Sequence, residues 1–474
     1  MAKTIISISD IILDEEIYPR ERIDQKRVGI FAENIRDGFK FDPIELQPHP
    51  EKTDKYRILD GVHRWSAYKA TGVSEPEVII IKDLDGIDPL LYAATKAIGP
   101  KQLNEEETKI CARRAFQNNS SLTSSQIGKA IGRSRRTVDS YIADLRAVIR
   151  MDLDLKILRM NLIGIPQERI AKRLDIPQRT LSDHLAKLAT LPNPLKADLS
   201  RGYTISQVAE KHGWTEPMVW SIALKGKDDL FRFKELSWGL RTWDLWNFND
   251  CDRRFGDDWP GRIPAQLIAH ILYYFTNQDD LVLDPMGGGG VTPDVCLAFN
   301  RRCWTFDMID RPDKRPEIEP YYWDIKGKTL GNLDIFNSKQ KPDLIIFDPP
   351  YFDKKADDYS EKSISMLPKK EYLRFFESFF TLMKQHTKNS TKLAFINADW
   401  RNFQNKPANS EIPEDSILID DYLMILNKSG WQRTHIIQAP LSSERFAAGV
   451  VSAMQKKKIL GVTSRYVIIL RRCK

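Results

Sequence analysis

Cysteine is scarce and scattered in this sequence. Five cysteines (Cys111, Cys251, Cys296, Cys303 and Cys473) are spread over 474 residues, and no two stand as Cys-x-x-Cys. That removes a disulfide framework and a cysteine-built zinc site from consideration, so reduced thiols and no metal are expected. Long apolar runs are also missing. Stretches such as Val78–Ile81 and Leu344–Phe347 fall far short of the roughly 20 apolar residues a membrane helix needs. The opening residues, MAKTIISISD, lack the basic-then-apolar order of a secretory signal. The expected location is the cytoplasm, with no membrane partner. What is present is an ordinary globular balance, 42% hydrophobic and 29% charged, and the length suits two to four domains.

The net charge of +7 is unevenly placed: between Lys101 and Asp229, 22 Lys and Arg stand against 15 Asp and Glu, an excess equal to that of the whole chain. A basic segment favours polyanions through phosphate contacts and counterion release, although ordinary surfaces also carry such an excess. The pattern of elements divides the chain in the same places. Residues 1–95 mix short β-branched runs with helical stretches, 96–230 read as short helices only, and 231–474 alternate strands with helices. The expected fold is α/β, with a small α/β domain, an all-α middle and a C-terminal, mostly parallel sheet covered on both faces.

The helical middle holds three helix-turn-helix candidates. Leu122–Leu145 (LTSSQIGKAIGRSRRTVDSYIADL) has Ser/Thr caps, Gly132 at its turn, and Val138, Ile142 and Leu145 at helical spacing. Ile165–Leu188 repeats the plan around a turn at Asp175-Ile176-Pro177, and Tyr203–Leu224 is a looser third copy. A recognition helix reads bases with its N-terminal turn. That makes Arg133, Arg135 and Arg136 of the first copy, and Gln178 and Arg179 of the second, the candidate DNA contacts. A plain bundle of helical hairpins is the alternative. Downstream, Trp238, Trp243, Trp246 and Trp259 are read first as core residues and second as ligand-stacking ones.

Two segments of the C-terminal region carry chemistry. In Leu281–Thr292, LVLDPMGGGGVT, an apolar strand runs into an acid, four glycines and a helix start. Glycines let backbone approach a ligand at the strand's carboxyl edge, where open α/β sheets bind. Cys303–Asp307 (CWTFD) ends a second strand in an acid that can accept both hydroxyls of a ribose, unless it is simply exposed. Asp334, in GNLDIF, suits a purine amine or a turn. The other segment is Asp343–Phe352, DLIIFDPPYF, a buried strand that delivers Asp348, Pro349, Pro350 and Tyr351 at its end.

Asp348–Tyr351 resembles motif IV, [DNS]PP[YF], of the S-adenosylmethionine-dependent amino-methyltransferases of DNA. Asp284–Thr292 is similar to their motif I, DPFxGSGTT. It keeps Asp284, Pro285, Gly288, Gly290 and Thr292 and departs at Met286, Gly289 and Val291. Trp259–Thr276 resembles motif X, the helix before motif I. The resemblance implies a Rossmann-like sheet over about residues 240–474. It also implies cofactor binding by Asp284, Pro285, Met286, Gly288, Gly290, Thr292, Asp307 and Asp334, and catalysis by Asp348, Pro349, Pro350 and Tyr351. The chemistry supports the tetrad. An aromatic amine is a poor nucleophile because its lone pair is conjugated with the ring. The Asp348 carboxylate and Pro349 carbonyl can grip both amine hydrogens, proline fixing the carbonyl's direction, while Tyr351 or Phe352 stacks on a base taken out of the helix. An aspartate in first place implies adenine N6. Cytosine N4 and RNA stay open, as does a regulator whose methyltransferase fold is inert. No recognition domain is evident after Tyr466–Leu470, so the helix-turn-helix region is expected to supply recognition. The loop Asp353–Lys370 is expected either to order over the flipped base or to be an ordinary insertion.

Near the N-terminus, RILDGVHRWSAYKATG (Arg57–Gly72) resembles the DG-x-HR box of ParB-like domains, through Asp60, Gly61, His63 and Arg64. Asp42-Pro43-Ile44 is similar to that family's turn before the second strand. The resemblance implies a nucleoside triphosphate at a helix N-terminus, or a retained scaffold. Double-stranded DNA and a second copy of the chain are the expected partners, at the nucleoid.

Overall fold

Two units make up the chain, Met1–Asp152 and Leu153–Lys474, in a computed structural model that describes residues 3–97, 103–190, 192–248, 250–321, 323, 338–352, 363–401, 416–440 and 448–473. In the first unit the short β-branched runs form β1 (Lys3–Ile5), β2 (Ile11–Ile12), β3 (Ile44–Pro48), β4 (Tyr56–Asp60) and β5 (Glu77–Ile80). They pair in the order β1-β5-β3-β4-β2, parallel for β5/β3 and β4/β2 and antiparallel otherwise. Helices α1 (Gln25–Arg36), α2 (Val62–Thr71) and α3 (Pro89–Lys96) accompany the sheet, and α4 (Glu105–Asn118), α5 (Ser124–Ile131) and α6 (Arg135–Tyr141) follow. One apolar cluster runs from Ile17, Leu59 and Ile81 through Leu90, Cys111 and Phe116 to Ile127, Val138 and Ile142. The first helix-turn-helix candidate is α5–α6. Thr123 caps α5 in a reciprocal box with Gln126, Gly132 closes it at φ +68, and Ser134 caps α6.

The division between the units falls inside α7 (Ala143–Leu162). The second unit continues with α8 (Gln167–Arg173), α9 (Gln178–Leu188), α10 (Pro192–Ser200), α11 (Ile205–His212), α12 (Glu216–Ala223), α13 (Asp229–Glu235) and α14 (Ala265–Phe275). The alternating region follows: β6 (Leu281–Asp284), α15 (Val291–Ala298), β7 (Arg302–Asp307), β8 (Ile318–Pro320), β9 (Leu344–Phe347), α16 (Lys369–His386), β10 (Lys392–Asn397), α17 (Ile419–Lys428), β11 (Trp431–Pro440), α18 (Ala448–Lys457) and β12 (Ser464–Arg472). Seven strands form one sheet in the order β11-β12-β10-β9-β6-β7-β8. The five from β10 to β8 are parallel, and β12 and β11 close the edge antiparallel.

The central strands are near-continuous apolar runs, as in LIIF of β9 and LAFI within β10, because both faces are covered. Val282, Leu344, Ile346, Ala394 and Ile396 belong to one cluster, and Leu281, Leu283, Ile345, Phe347, Leu393 and Phe395 to the other, in strict alternation. The second face is filled by Phe375, Phe376, Phe379 and Phe380 of α16. The first is covered by α14 and α15, and by Ile170, Leu181, Val208, Met218, Val219 and Phe233 of the upstream helices. The second helix of the third helix-turn-helix candidate, α12, buries Pro217 through Ile222, and that burial withholds it from a DNA groove.

Candidate functional site

The order of the sheet creates a switch point. From β6 the chain moves outward to β7 and β8, then returns to place β9 on the other side of β6. β6 and β9 are therefore parallel neighbours, with Val282 beside Leu344 and Leu283 beside Ile345. Their carboxyl ends open into one crevice, the place where open α/β sheets bind ligands. Asp284 and the glycine turn leave β6 there, and Asp348 leaves β9 there.

The glycine turn is held to the sheet by its own backbone. Gly287 N–H donates to the Phe306 carbonyl at 2.8 Å, and a Cβ on Gly287 would collide with Thr305 Cγ2. Gly288 and Gly290 have φ of +47 and +85, which only glycine adopts without strain. Gly288 N–H donates to Asp307 Oδ2 at 2.9 Å, and Ile309 N–H to Asp307 Oδ1 at 2.9 Å. The indole of Trp259 lies against Gly288 and Gly289. The Arg311 guanidinium covers that ring at 4.3 Å and donates to the Gly288 carbonyl. Asp284 accepts from Met286 N–H at 3.1 Å. Burial pushes its carboxyl up to about 7, against the Thr292 hydroxyl and the Met286 N–H, while Asp348 and Asp307 add to the rise. Pro285 gives its carbonyl to the Trp323 indole N–H at 2.8 Å. Asp334 lies outside the described residues, as does most of the loop 353–370.

Across the crevice, Asp348, Pro350, Tyr351 and Phe352 all keep part of their surface open, while Pro349 is buried. The Tyr351 hydroxyl donates to Asp348 Oδ1 at 3.1 Å. Desolvation raises the Asp348 carboxyl to about 6, opposed first by the Arg465 charge and then by Tyr351. The Tyr372 hydroxyl of α16 donates to the Pro350 carbonyl at 3.0 Å and fixes the tetrad's backbone. Phe352 packs against Tyr372 and, edge-on, against Trp400 at 4.8 Å. Gly287, Arg311, Tyr372 and Arg465 were not among the residues singled out from the sequence, where Trp259 was read first as a core residue and second as a ligand-stacking one. Of these, only Gly287 left a usable signal, as one of four adjacent glycines.

A buried ion network underlies the turn. Arg315 grips both Asp294 oxygens at 2.9 and 3.1 Å, Arg159 of α7 donates to Asp294 and, at 2.7 Å, to Glu317, and Gly256 N–H reaches Asp294 Oδ2 at 2.7 Å. Among the described residues no group of His, Cys, Asp and Glu is arranged to hold a metal ion.

In the first unit β4 ends at Asp60, and Gly61, at φ +101, precedes α2. Arg64 donates to Asp60 Oδ2 at 2.6 Å, and to the Asp42 and Pro43 carbonyls at 2.6 and 3.1 Å. His63 Nε2 accepts from Asp24 N–H at 3.3 Å. The structure thus gathers Asp60, Gly61 and Arg64 with the Asp42-Pro43 turn, and ties His63 to the start of α1. Of the candidate DNA contacts, Arg135, Arg136, Gln178 and Arg179 are exposed on the first turns of α6 and α9. Arg133 is half-buried and donates to Glu105 at 3.3 Å. Arg169 and Arg173 of α8 instead dock on the sheet edge, through Glu319, Asp310 and the Ile318 carbonyl.

Fold and site together define a Rossmann-like amino-methyltransferase domain in the second unit and a ParB-like domain in the first. Comparison with known families agrees. Residues 170–311 match the DNA methylase family of N6/N4 type, and residues 3–90 match the ParB N-terminal domain. The chain carries both. The probable chromosome-partitioning protein ParB of Vibrio cholerae serotype O1 is 28% identical over 218 residues, which is 43% of this chain and 72% of that protein. The ATP-dependent L-serine kinase of Staphylothermus marinus is 34% identical over 90 residues, 18% of this chain and 35% of the kinase. Among solved structures, a TehB-like SAM-dependent methyltransferase from Corynebacterium glutamicum is 11% identical, covers 44% of this chain and 86% of its own, and has a TM-score of 0.26.

Proposed function

We propose that this protein transfers a methyl group from S-adenosylmethionine to the exocyclic amine of a flipped DNA base, and that the base is adenine, methylated at N6. The observation that carries this reading is the shared crevice: the glycine turn after β6 and the Asp348 tetrad after β9 leave adjacent parallel strands at the same edge. The residues present fit the cofactor. Glycine backbone at positive φ forms a cradle bounded by the Trp259 indole and the Asp307 carboxylate, and Asp307 keeps lone pairs for ribose hydroxyls beyond its two N–H partners. When bound, the cofactor supplies an electrophilic methyl group.

The chain's own residues do the rest. Asp348 and the Pro349 carbonyl accept the two amine hydrogens and turn the nitrogen lone pair out of conjugation. Tyr372 keeps the tetrad's backbone still by holding the Pro350 carbonyl. Phe352, braced by Trp400, offers a face for the base. Methylation leaves the nitrogen one proton in excess, and Asp348, near 6, is placed to take that proton and release it to solvent. The reaction is positioning plus charge stabilisation. The first position of the tetrad supports adenine over cytosine by its resemblance to the N6 enzymes. Recognition falls to the exposed first turns of α6 and α9, and such an enzyme works on DNA in the cytoplasm, at the nucleoid.

For the first unit we propose nucleoside triphosphate binding at the α2 N-terminus, where Gly61 opens a ten-residue helix beside Arg64. The kinase relative's ATP dependence supports that reading. Isothermal titration with CTP and ATP, with and without DNA, is expected to give heat for one of them; silence for both removes it. The methylation reading is tested by sequencing, with modified-base detection, DNA from a host that expresses the full chain. Methyladenine at a fixed sequence is expected. Methylcytosine would correct the base, and unmodified DNA would overturn the function.

A further inference from the structure

Arg465 is an arginine in the first turn of pleat of β12, and it is only 5% exposed. Its position follows from the strand register. β12 runs antiparallel to β10, with Tyr466 opposite Asn397, and β10 runs parallel to β9, with Phe395 beside Phe347. Arg465 therefore stands at the carboxyl edge of the sheet, one strand beyond β10 from the Asp348 tetrad, and a long side chain there crosses the end of β10. Its charge acts on both Asp348 and Tyr351. Its Nε has no hydrogen-bond partner among the described residues. A guanidinium so nearly buried is costly unless an anion lies near it, and Asp348 is close enough for the Arg465 charge to hold its carboxyl down.

We propose that Arg465 is a positioning residue of the methyl-transfer site, its guanidinium fixing the Asp348 side chain as an ionised, acceptor-only group turned toward the target amine. The proposal rests on the methyltransferase reading above. The chemistry requires such a partner. A protonated carboxyl has a donor where the amine needs an acceptor, and the recess that excludes water from the flipped base also disfavours the carboxylate. The other groups around Asp348 cannot be that partner. The Tyr351 hydroxyl, pushed up by burial and by Asp348 itself, remains neutral. Tyr372 of α16 is likewise pushed up. Asp284 at the end of β6 is another acid, pushed up to about 7 by burial and a like charge only above that. Beyond β10, Arg401 is paired with Asp399 at 3.3 Å.

The test compares the full-length wild type with Arg465→Lys, which keeps the charge, and Arg465→Met, which keeps most of the reach. Arg465→Gln serves as a second neutral variant should Met fail to fold. Two quantities are read: the single-turnover methylation rate of unmethylated DNA from pH 5.5 to 9, and the titration of the Asp348 carboxyl by carbon NMR without cofactor, assigned with Asp348→Asn. Both neutral variants should move the carboxyl titration and the acid limb of the rate profile upward by about one pH unit or more. For a one-unit shift from about 6 that is a rate loss of about threefold at pH 6.5 and about eightfold at pH 5.5 that recovers at pH 9, while Lys should stay close to wild type. An active wild type whose neutral variants lose rate equally at every pH, with the Asp348 titration unmoved, overturns the role of Arg465 alone. A folded wild type that transfers no methyl overturns the methyltransferase reading, and this one with it.

Discussion

A buried carboxylate is a burden on the fold, and Asp284 shows the size of that burden. Its folded value of about 7 lies above the ordinary 3.8, so the native state binds the proton more tightly than the unfolded chain does. Protonation therefore favours the fold. The gain is complete below about pH 4 and is lost as pH rises through 7, where the ionised group costs up to about 4 kcal/mol. Melting curves should show wild type less stable at pH 8.5 than at pH 6, with a smaller decline in Asp284→Asn. Tyr372 acts at the same scale. Tyr372→Phe removes the donor to the Pro350 carbonyl, and losing one positioning hydrogen bond of about 1–2 kcal/mol should lower kcat about five- to thirtyfold. Cofactor affinity should stay unchanged, which stopped-flow methylation and titration calorimetry would separate.

At the scale of elements, α15 is held to its surroundings by charge as well as by apolar packing. Asp294 in its first turn serves Arg315, Arg159 and Gly256 N–H together. Removing it leaves Glu317 as the anion for Arg159, and Glu317 and Asp257 for Arg315, so Asp294→Ala should destabilise the second unit by about 3 kcal/mol, read as a lower Tm in calorimetry. Neither the network nor its importance was legible in the sequence, where Asp294 is one polar residue after a Thr-Pro and its partners lie far away in the chain. The strand-glycine-helix of Leu281–Thr292 and the tetrad at Asp348 were legible because each is local: a strand, a turn and a ligand-facing backbone within about a dozen residues. Their adjacency was not, because β6 and β9 pair across about 60 intervening residues. Arg465 reads as a strand flank in SRYVIIL, and Tyr372 as one aromatic among several in EYLRFFESFF. Helix-turn-helix spacing found α5–α6 and α8–α9 correctly as helix pairs. It could not tell that α12 spends its apolar face on the sheet, since a buried helix and a groove-reading helix share the same period.

At the scale of the whole molecule, residues 3–90 match one family and 170–311 another. The upstream helices cannot all be a detachable reading head, since Ile170, Leu181, Val219 and Phe233 share a core with Ile346 and Ala394 of the sheet. DNA recognition is better probed by point changes than by deletion. Arg135 and Arg136 lie exposed at the start of α6. Replacing both with alanine should weaken DNA binding and reduce the slope of log affinity against log salt by about two if both contact phosphates, measurable by fluorescence anisotropy at several salt concentrations. The core of α5–α6 does not involve these side chains, so stability should be unchanged.

The central claim is that one crevice holds both the methyl donor and the amine, and nucleoside analysis tests it most directly. Purified full-length protein is incubated with unmethylated DNA and isotopically labelled S-adenosylmethionine, and the DNA is digested and separated by mass spectrometry. Labelled N6-methyldeoxyadenosine from wild type, and none from Asp348→Ala of equal Tm, is the predicted result. Label in no nucleoside, or equal label from the alanine variant, would contradict the account.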